Sequence, residues 1–287
     1  MISIFAKLPF LNVNPSQPFI FDGRPIKRGH LMRVSSLIRG IQMSEKLGAK
    51  LNPESGYEND VCIYVKPHVK HGGDFKFEGK AYLDIIDGWD LVPLLEKHPE
   101  VGVITISQKD YEVLSSILKN KVVFIPQHHL NFERQVRNSK ALTKVGVVGT
   151  LDSFEHLPKD KLIKGLKERG MELVELSSFE DRLKIAEFYK DLFVQIVWRP
   201  YKRKMGNPLK LVNAASFGVP TIALEEEYFK EMDGHYFPVR NIEEFFGQLD
   251  ALKSIPDLYK NYSKSLLRKA EKYHIDNIAK MYKELDK

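Results

Sequence analysis

The residues best suited to chemistry lie between Trp198 and Lys210. This stretch reads Trp-Arg-Pro-Tyr-Lys-Arg-Lys-Met-Gly-Asn-Pro-Leu-Lys, with five cationic residues and no acid. It follows a β-branched run, Val194–Trp198, and opens a helix that stops at Gly218-Val219-Pro220. A helix N-terminus presents free amides and the positive end of a dipole, so a basic loop there suits a phosphate. Arg199, Lys202, Arg203, Lys204 and Lys210 are the candidate cations, and Asn207 stands at the helix start. Arginine matches phosphate oxygens with a fork of donors. A solvated basic loop is the competing reading of the same charge.

Further candidates fall where strands end. His68 follows Val61–Val65, and Asp84 and Asp87 close Leu83-Asp84-Ile85-Ile86-Asp87-Gly88. His68 and Asp87 are the catalytic-side candidates, set against an exposed loop histidine and a plain turn aspartate. For Asp84 a bond to a nearby backbone N–H is the better reading. Gly23, Arg24 and Arg28 sit in a glycine-containing basic loop, and Glu225-Glu226-Glu227 reads as a solvated helix start. His128 and His129 are adjacent with no carboxylate at ligand spacing, so no metal or other cofactor is expected.

Short apolar runs alternate with longer amphipathic ones, the pattern of βαβ units and parallel sheets. The first half offers strands at Ile2–Ala6, Val61–Val65, Ala81–Ile86, Val101–Ser107 and Val122–Ile125. Leu31, Val34, Leu37, Ile38, Ile41 and Leu47 predict a helix after a long loop, Asn12–Gly29, that holds three prolines and two glycines. The second half offers strands at Val145–Val148, Met171–Leu176, Val194–Trp198, Pro220–Leu224 and Tyr236–Val239. Helices are predicted over Lys159–Arg169, Phe179–Leu192, Pro208–Phe217 and Ile242–Leu252. Parallel sheets bind ligands at their carboxyl edges, so these loops are where a site belongs.

The chain has 287 residues, 43% of them hydrophobic, which supports two modest cores. The balance of 44 basic and 38 acidic residues gives +6, which suits a phosphate-bearing ligand, nucleic acid or an anionic membrane without selecting one. Cys62 is the single cysteine, so no internal disulfide forms, and its apolar setting makes it a core residue. No run reaches the roughly 18 apolar residues of a membrane span. Met1–Ala6 reads as a first strand and not a signal peptide, and the expected location is cytoplasmic, with peripheral membrane contact as an option.

The segment Asn207-Pro208-Leu209-Lys210-Leu211-Val212-Asn213-Ala214-Ala215-Ser216-Phe217-Gly218-Val219-Pro220 resembles the donor-binding helix of GT-B glycosyltransferases, above all the retaining family-4 group. There a helix rich in small residues ends in Gly-x-Pro and runs into a strand. Val145-Gly146-Val147-Val148-Gly149-Thr150 is similar to the first strand and glycine turn of the donor domain, and Leu183–Trp198 to the helix and strand before the donor loop. Ile104–Ser107 and Val123–Pro126 resemble acceptor-domain strands.

The resemblance implies two Rossmann-like domains facing each other across a cleft. The first would span 1–135 on the acceptor side and the second 143–262 with the nucleotide sugar, while 263–287 would return as a helix to the first domain. It implies donor contacts from Gly149, Thr150, Lys210 and Asn213, and a loop with Gly23, Arg24 and Arg28 lying over the donor. Two departures stand out. Where the group has paired glutamates this chain has Met205 and Asn213, and where an arginine often follows the glycine turn it has Thr150.

The expected activity is transfer of a hexose from a nucleotide-diphosphate sugar to a glycan, lipid or other hydroxyl acceptor, with retention and without metal. Such transfer depends on positioning and on stabilising the departing phosphate. Two alternatives stay open: a nucleotide-sugar-binding protein that has lost turnover, and a glycosyltransferase acting on modified DNA bases. A dehydrogenase is disfavoured, since no Gly-x-Gly-x-x-Gly follows a strand.

Overall fold

The computed structural model describes residues 1–7, 18–21, 24–27, 34–69, 73–138, 143–149, 152–177, 182–200 and 204–287, with only the backbone path of 18–21, 24–27 and Asp152. The chain opens with β1 (Ile2–Ala6), followed by an antiparallel hairpin of β2 (Pro18–Phe21) and β3 (Arg24–Lys27). Next come β4 (Lys50–Leu51), β5 (Val61–Val65), β6 (Lys80–Asp84), β7 (Gly102–Thr105) and β8 (Val122–Phe124). These form one parallel sheet in the order β4-β1-β5-β6-β7-β8. The second half supplies β9 (Lys144–Val148), β10 (Glu172–Leu176), β11 (Val194–Val197), β12 (Thr221–Leu224) and β13 (Phe237–Val239), parallel in the order β10-β9-β11-β12-β13.

Both sheets thus begin second-first-third-fourth-fifth, the doubly wound order whose switch point lies between the first and third strands. Val61–Val65 is buried at every position, as a strand covered by helices on both faces must be.

In the first half, the segment predicted as a helix from its apolar positions is a π-helix over Ser36–Gln42 that runs into α1 (Met43–Leu47). A Cβ on Gly40 would stand 2.6 Å from the Cβ of Ala6, so only glycine lets this helix lie so close to β1. Helices α2 (Val92–Lys97) and α3 (Gln108–Ile117) complete the half, and Ser107 caps α3 by accepting the Asp110 N–H.

The second half carries α4 (Asp152–Glu155), α5 (Lys159–Glu168), α6 (Arg182–Lys190), α7 (Leu209–Ser216), α8 (Ile242–Ser254) and α9 (Pro256–Glu271). Leu266 and Ala270 of α9 share a core with Leu211 and Val212 of α7. The chain then crosses at Lys272–His274 into α10 (Ile275–Lys283), whose Ile275, Ile278 and Tyr282 join Ile4, Ile63 and Ile104 in the first core. The return therefore begins after Glu271 and not at 263, because α9 buries its apolar face on α7. The predicted Asn12–Gly29 loop includes the β2–β3 hairpin, and β4 is too short to show an alternating pattern. Among the described residues no helix is long and apolar enough to cross a membrane.

Candidate functional site

At the switch point of the second sheet, β9 runs into Gly149 and β11 leads towards Arg199. Gly149 has φ +154°, and a Cβ built on it would lie 2.2 Å from Ser153 Oγ and 2.6 Å from Lys210 Nζ. The absent side chain is what lets these two groups converge on the backbone. Lys210, in the first turn of α7, donates to Ser153 Oγ at 2.5 Å, and the Gln195 amide holds the Lys210 carbonyl at 3.1 Å. A glycine turn, a hydroxyl and an ammonium at a sheet's carboxyl edge make an anion cradle.

The cradle opens on a cavity of about 220 Å³ between the two halves. Val34, Leu37 and Ile38 of the first half form one wall. Ile185 and Tyr189 of α6 and Leu209 and Asn213 of α7 face them, with His128 and Leu130 from the connecting segment at the side.

Other sequence candidates are engaged elsewhere. Arg199, expected at a phosphate, bonds Glu226 at 2.8 Å with both side chains largely buried, and lies over the Phe229 ring. This also corrects the reading of Glu226 as solvated, since a buried guanidinium needs a countercharge. Asn207 accepts the Leu209 N–H at 2.9 Å across Pro208, in the turn that leads into α7. The α7 N-terminus faces Ile106, Pro126, Gln127 and Tyr273 with no volume left for a water molecule. On this side the α7 N-terminus leaves no room for the phosphate expected there.

Asn213 lines the cavity, but its Oδ1 accepts the Leu130 N–H at 3.0 Å and ties α7 to the connecting segment. Lys204 is exposed, and its carbonyl accepts the Tyr228 hydroxyl. Gly23, Arg28, Thr150, Lys202 and Arg203 lie outside the described residues, and Arg24 is described only as backbone in β3.

At the first sheet's carboxyl edge, His68 is exposed and Asp87 pairs with Lys66. Among the described residues no hydrogen bond joins His68 to Asp87. Lys66 and Ile86 follow β5 and β6 with φ of +41° and +56°, a strained conformation for side-chain-bearing residues. Met205 reaches across from the second half and is buried with Leu83, Ile85 and Leu91 of the first.

Four groups here gave little sign of themselves in the sequence. Arg182 clamps the halves, donating to Glu133 at 2.7 and 2.8 Å and to the Leu130 carbonyl at 3.0 Å. Asp110 of α3 accepts the Gly206 N–H, and burial pushes its carboxyl up to about 6. Glu231 accepts from the Gln108 N–H and the Tyr273 hydroxyl, and burial raises it to about 7. Arg39, fully buried, donates to Asp84 at 2.6 Å and to the Pro126 carbonyl at 2.8 Å. Tyr282 of α10 adds a bond to Asp84 at 3.3 Å, so this aspartate holds a guanidinium and the returning helix, where a backbone N–H was expected.

His128 lies between the Ile38 and His129 carbonyls, and burial lowers its imidazole to about 4. His129 accepts the Asn131 N–H, and burial lowers it to about 3.

No known sequence family matches this chain, and no curated protein resembles it in sequence. Its fold does have solved counterparts. TarM is 14% identical with a TM-score of 0.52 over 81% of this chain, which spans only 51% of TarM. A glycosyltransferase from Rickettsia africae is 12% identical with a TM-score of 0.52, covering 96% of this chain and 83% of its own. The N-terminal domain of Candida albicans trehalose-6-phosphate phosphatase is 8% identical with a TM-score of 0.53, covering 99% and 96%. The fold is the GT-B one, two Rossmann-like domains facing across a cleft.

Proposed function

We propose that the protein transfers a hexose from a nucleotide-diphosphate sugar to a hydroxyl acceptor such as a glycan or lipid. The observation that carries this reading is the Gly149–Ser153–Lys210 cradle opening onto the cavity between two doubly wound sheets. When the glycosidic bond to the donor phosphate breaks, negative charge grows on the leaving diphosphate. An ammonium already fixed by Ser153 stabilises that charge without reorganising at the moment of reaction. The sequence candidates Gly23, Arg24, Arg28, Thr150 and Lys202 would add further donor contacts. His68 and Asp87 would serve on the acceptor side, Asp87 oriented by Lys66.

The test is a thermal-shift titration with UDP, GDP, ADP, CDP and dTDP and their sugar conjugates. Ligand that binds only the folded protein raises its melting temperature by mass action. We expect a shift with one nucleotide class that Lys210→Met removes. No shift with any of them rejects the reading.

A second reading, donor binding without turnover, is favoured by Met205. The resemblance places a sugar-contacting glutamate there, and this side chain is instead buried in the first half. A donor that binds but is neither transferred nor hydrolysed on prolonged incubation would select this reading.

A further inference from the structure

One face of α9 carries a row of cations that no described residue neutralises. Lys260, Lys264, Arg268 and, at the helix's C-cap, Lys272 are all exposed. They recur every four residues, so successive charges stand about 6 Å apart along the axis and drift about 40° around it. None of the four side chains bonds a carboxylate or a carbonyl of a described residue. By contrast Lys46 pairs with Asp276, Lys144 with Asp191 and Lys159 with Glu175. Of the two acids in α9, Glu271 is held by Arg134 at 2.9 Å, and Asp257 sits in the first turn, where it complements the helix dipole. Like charges at i, i+4 destabilise a helix, and this row makes three such pairs, which an anionic surface would relieve.

The residues beside the row select the kind of surface. Ile255 and Leu258, at the N-terminal end of the same helix, are 50% and 37% exposed. Two large aliphatic side chains next to a cationic row fit a lipid headgroup layer, which admits apolar tips while its phosphates meet the cations. Nucleic acid would instead use aromatic rings on which bases stack. The tyrosines of this segment are turned inward: Tyr259 donates to the Phe193 carbonyl at 2.6 Å, Tyr262 packs its ring against Phe237, and Tyr273 donates to Glu231 at 3.2 Å. The opposite face of α9 is buried, with Leu266 and Ala270 against α7, so the row can engage a surface while the fold stays as it is.

We propose that α9 rests its outer face on an anionic phospholipid bilayer, with Lys260, Lys264, Arg268 and Lys272 over the lipid phosphates and Ile255 and Leu258 among the headgroups. This goes beyond the transfer reading and does not depend on it. The attraction is electrostatic and weakens as salt shortens the Debye length, from about 10 Å at 0.1 M to about 3 Å at 1 M.

The experiment is co-sedimentation of the full chain with vesicles of phosphatidylcholine alone and of phosphatidylcholine with phosphatidylglycerol in equal parts, at low and high salt. We expect the anionic vesicles to bind at least about tenfold more tightly than the neutral ones, and high salt to remove the difference. Each cation near such a surface contributes about fivefold, so Lys260→Gln, Lys264→Gln and Arg268→Gln combined should weaken binding about 100-fold. Ile255→Ser with Leu258→Ser should weaken it severalfold and keep the salt dependence. Without vesicles, the triple variant's melting temperature should equal or exceed the wild type's, because like-charge pairs are gone; a lower value would mean that the row serves the fold, and overturns the proposal. Equal binding to neutral and anionic vesicles, or binding to neither, overturns it as well. A single-stranded oligonucleotide that binds more tightly than anionic vesicles at equal phosphate concentration assigns the row to nucleic acid and rejects the lipid. The nucleotide titration reads the cleft alone: a nucleotide shift without vesicle binding rejects only this proposal, and vesicle binding without a nucleotide shift rejects only the donor reading.

Discussion

Lys210 Nζ and Ser153 Oγ are 2.5 Å apart, and both lie within 2.6 Å of where a Cβ on Gly149 would stand. Three residues from three separate parts of the second half, the turn after β9, α4 and α7, thus converge on a space that one methyl group would fill. Gly149→Ala should therefore weaken pyrophosphate or nucleotide affinity about tenfold or more, because the cation and hydroxyl must move apart. Its melting temperature should fall by only a few degrees, as the turn is at the surface of the sheet edge. Titration calorimetry checks this, and unchanged affinity would remove the cradle from the site.

The pair of Arg39 and Asp84 predicts a larger effect, on stability. Both side chains have no exposure, and removing one charge leaves the other buried without a partner. Asp84→Ala should cost about 3–5 kcal/mol in urea unfolding, by the usual penalty for an orphaned buried charge. Tyr282→Phe, which removes only a hydrogen bond to Asp84, should cost about 1 kcal/mol. A loss below 1 kcal/mol for Asp84→Ala would mean that Arg39 finds another countercharge.

Glu231 makes the contact between the halves sensitive to pH. Burial lifts its carboxyl to about 7 in the fold, against about 4.3 in an unfolded chain. Between those values the folded protein holds a proton that the unfolded chain has lost, so stability falls as pH rises through this window. Asp110 acts in the same sense up to about 6. His128 and His129, lowered to about 4 and 3, act in the opposite sense below about 6.5. Glu231→Gln isolates one term: its melting temperature relative to wild type should grow more favourable from pH 5 to pH 8. A difference that stays flat with pH would show that Glu231 titrates normally.

Met205→Glu tests whether the missing glutamate could simply be restored. The side chain at this position lies among Leu83, Ile85 and Leu91, and an ionised carboxylate there has no partner. We expect the substitution to destabilise the fold by several kcal/mol and to leave sugar transfer no faster. A stable variant with increased transfer would show that the 205 side chain can swing into the cleft.

Much of the architecture could be read from the chain alone. Buried parallel strands appear as unbroken apolar runs, so Ile2–Ala6 and Val61–Val65 were found with their observed ends, and β9 to β13 within a residue or so. The glycine turn at Gly149 and the helix stop at Gly218, whose φ is +72°, are local requirements that a sequence states directly. The two-residue β4 escaped because it is too short to carry a periodic signature, and the helix read from Leu37, Ile38 and Ile41 is present but in a π form that apolar spacing does not distinguish.

The chain by itself determined two doubly wound halves and a basic loop at a strand's carboxyl end. Only the tertiary structure decided which partners within the chain those residues take. Arg199 is claimed by Glu226, Asn207 by Leu209 and Asn213 by Leu130, while Lys210 is drawn to Ser153 and Gly149. Charge and hydrogen-bonding capacity belong to a residue type, but their availability depends on partners brought close by distant segments. Burial works the same way: Asp110, Glu231 and Tyr189 are ordinary in the sequence and become distinctive once neighbouring elements take them from water.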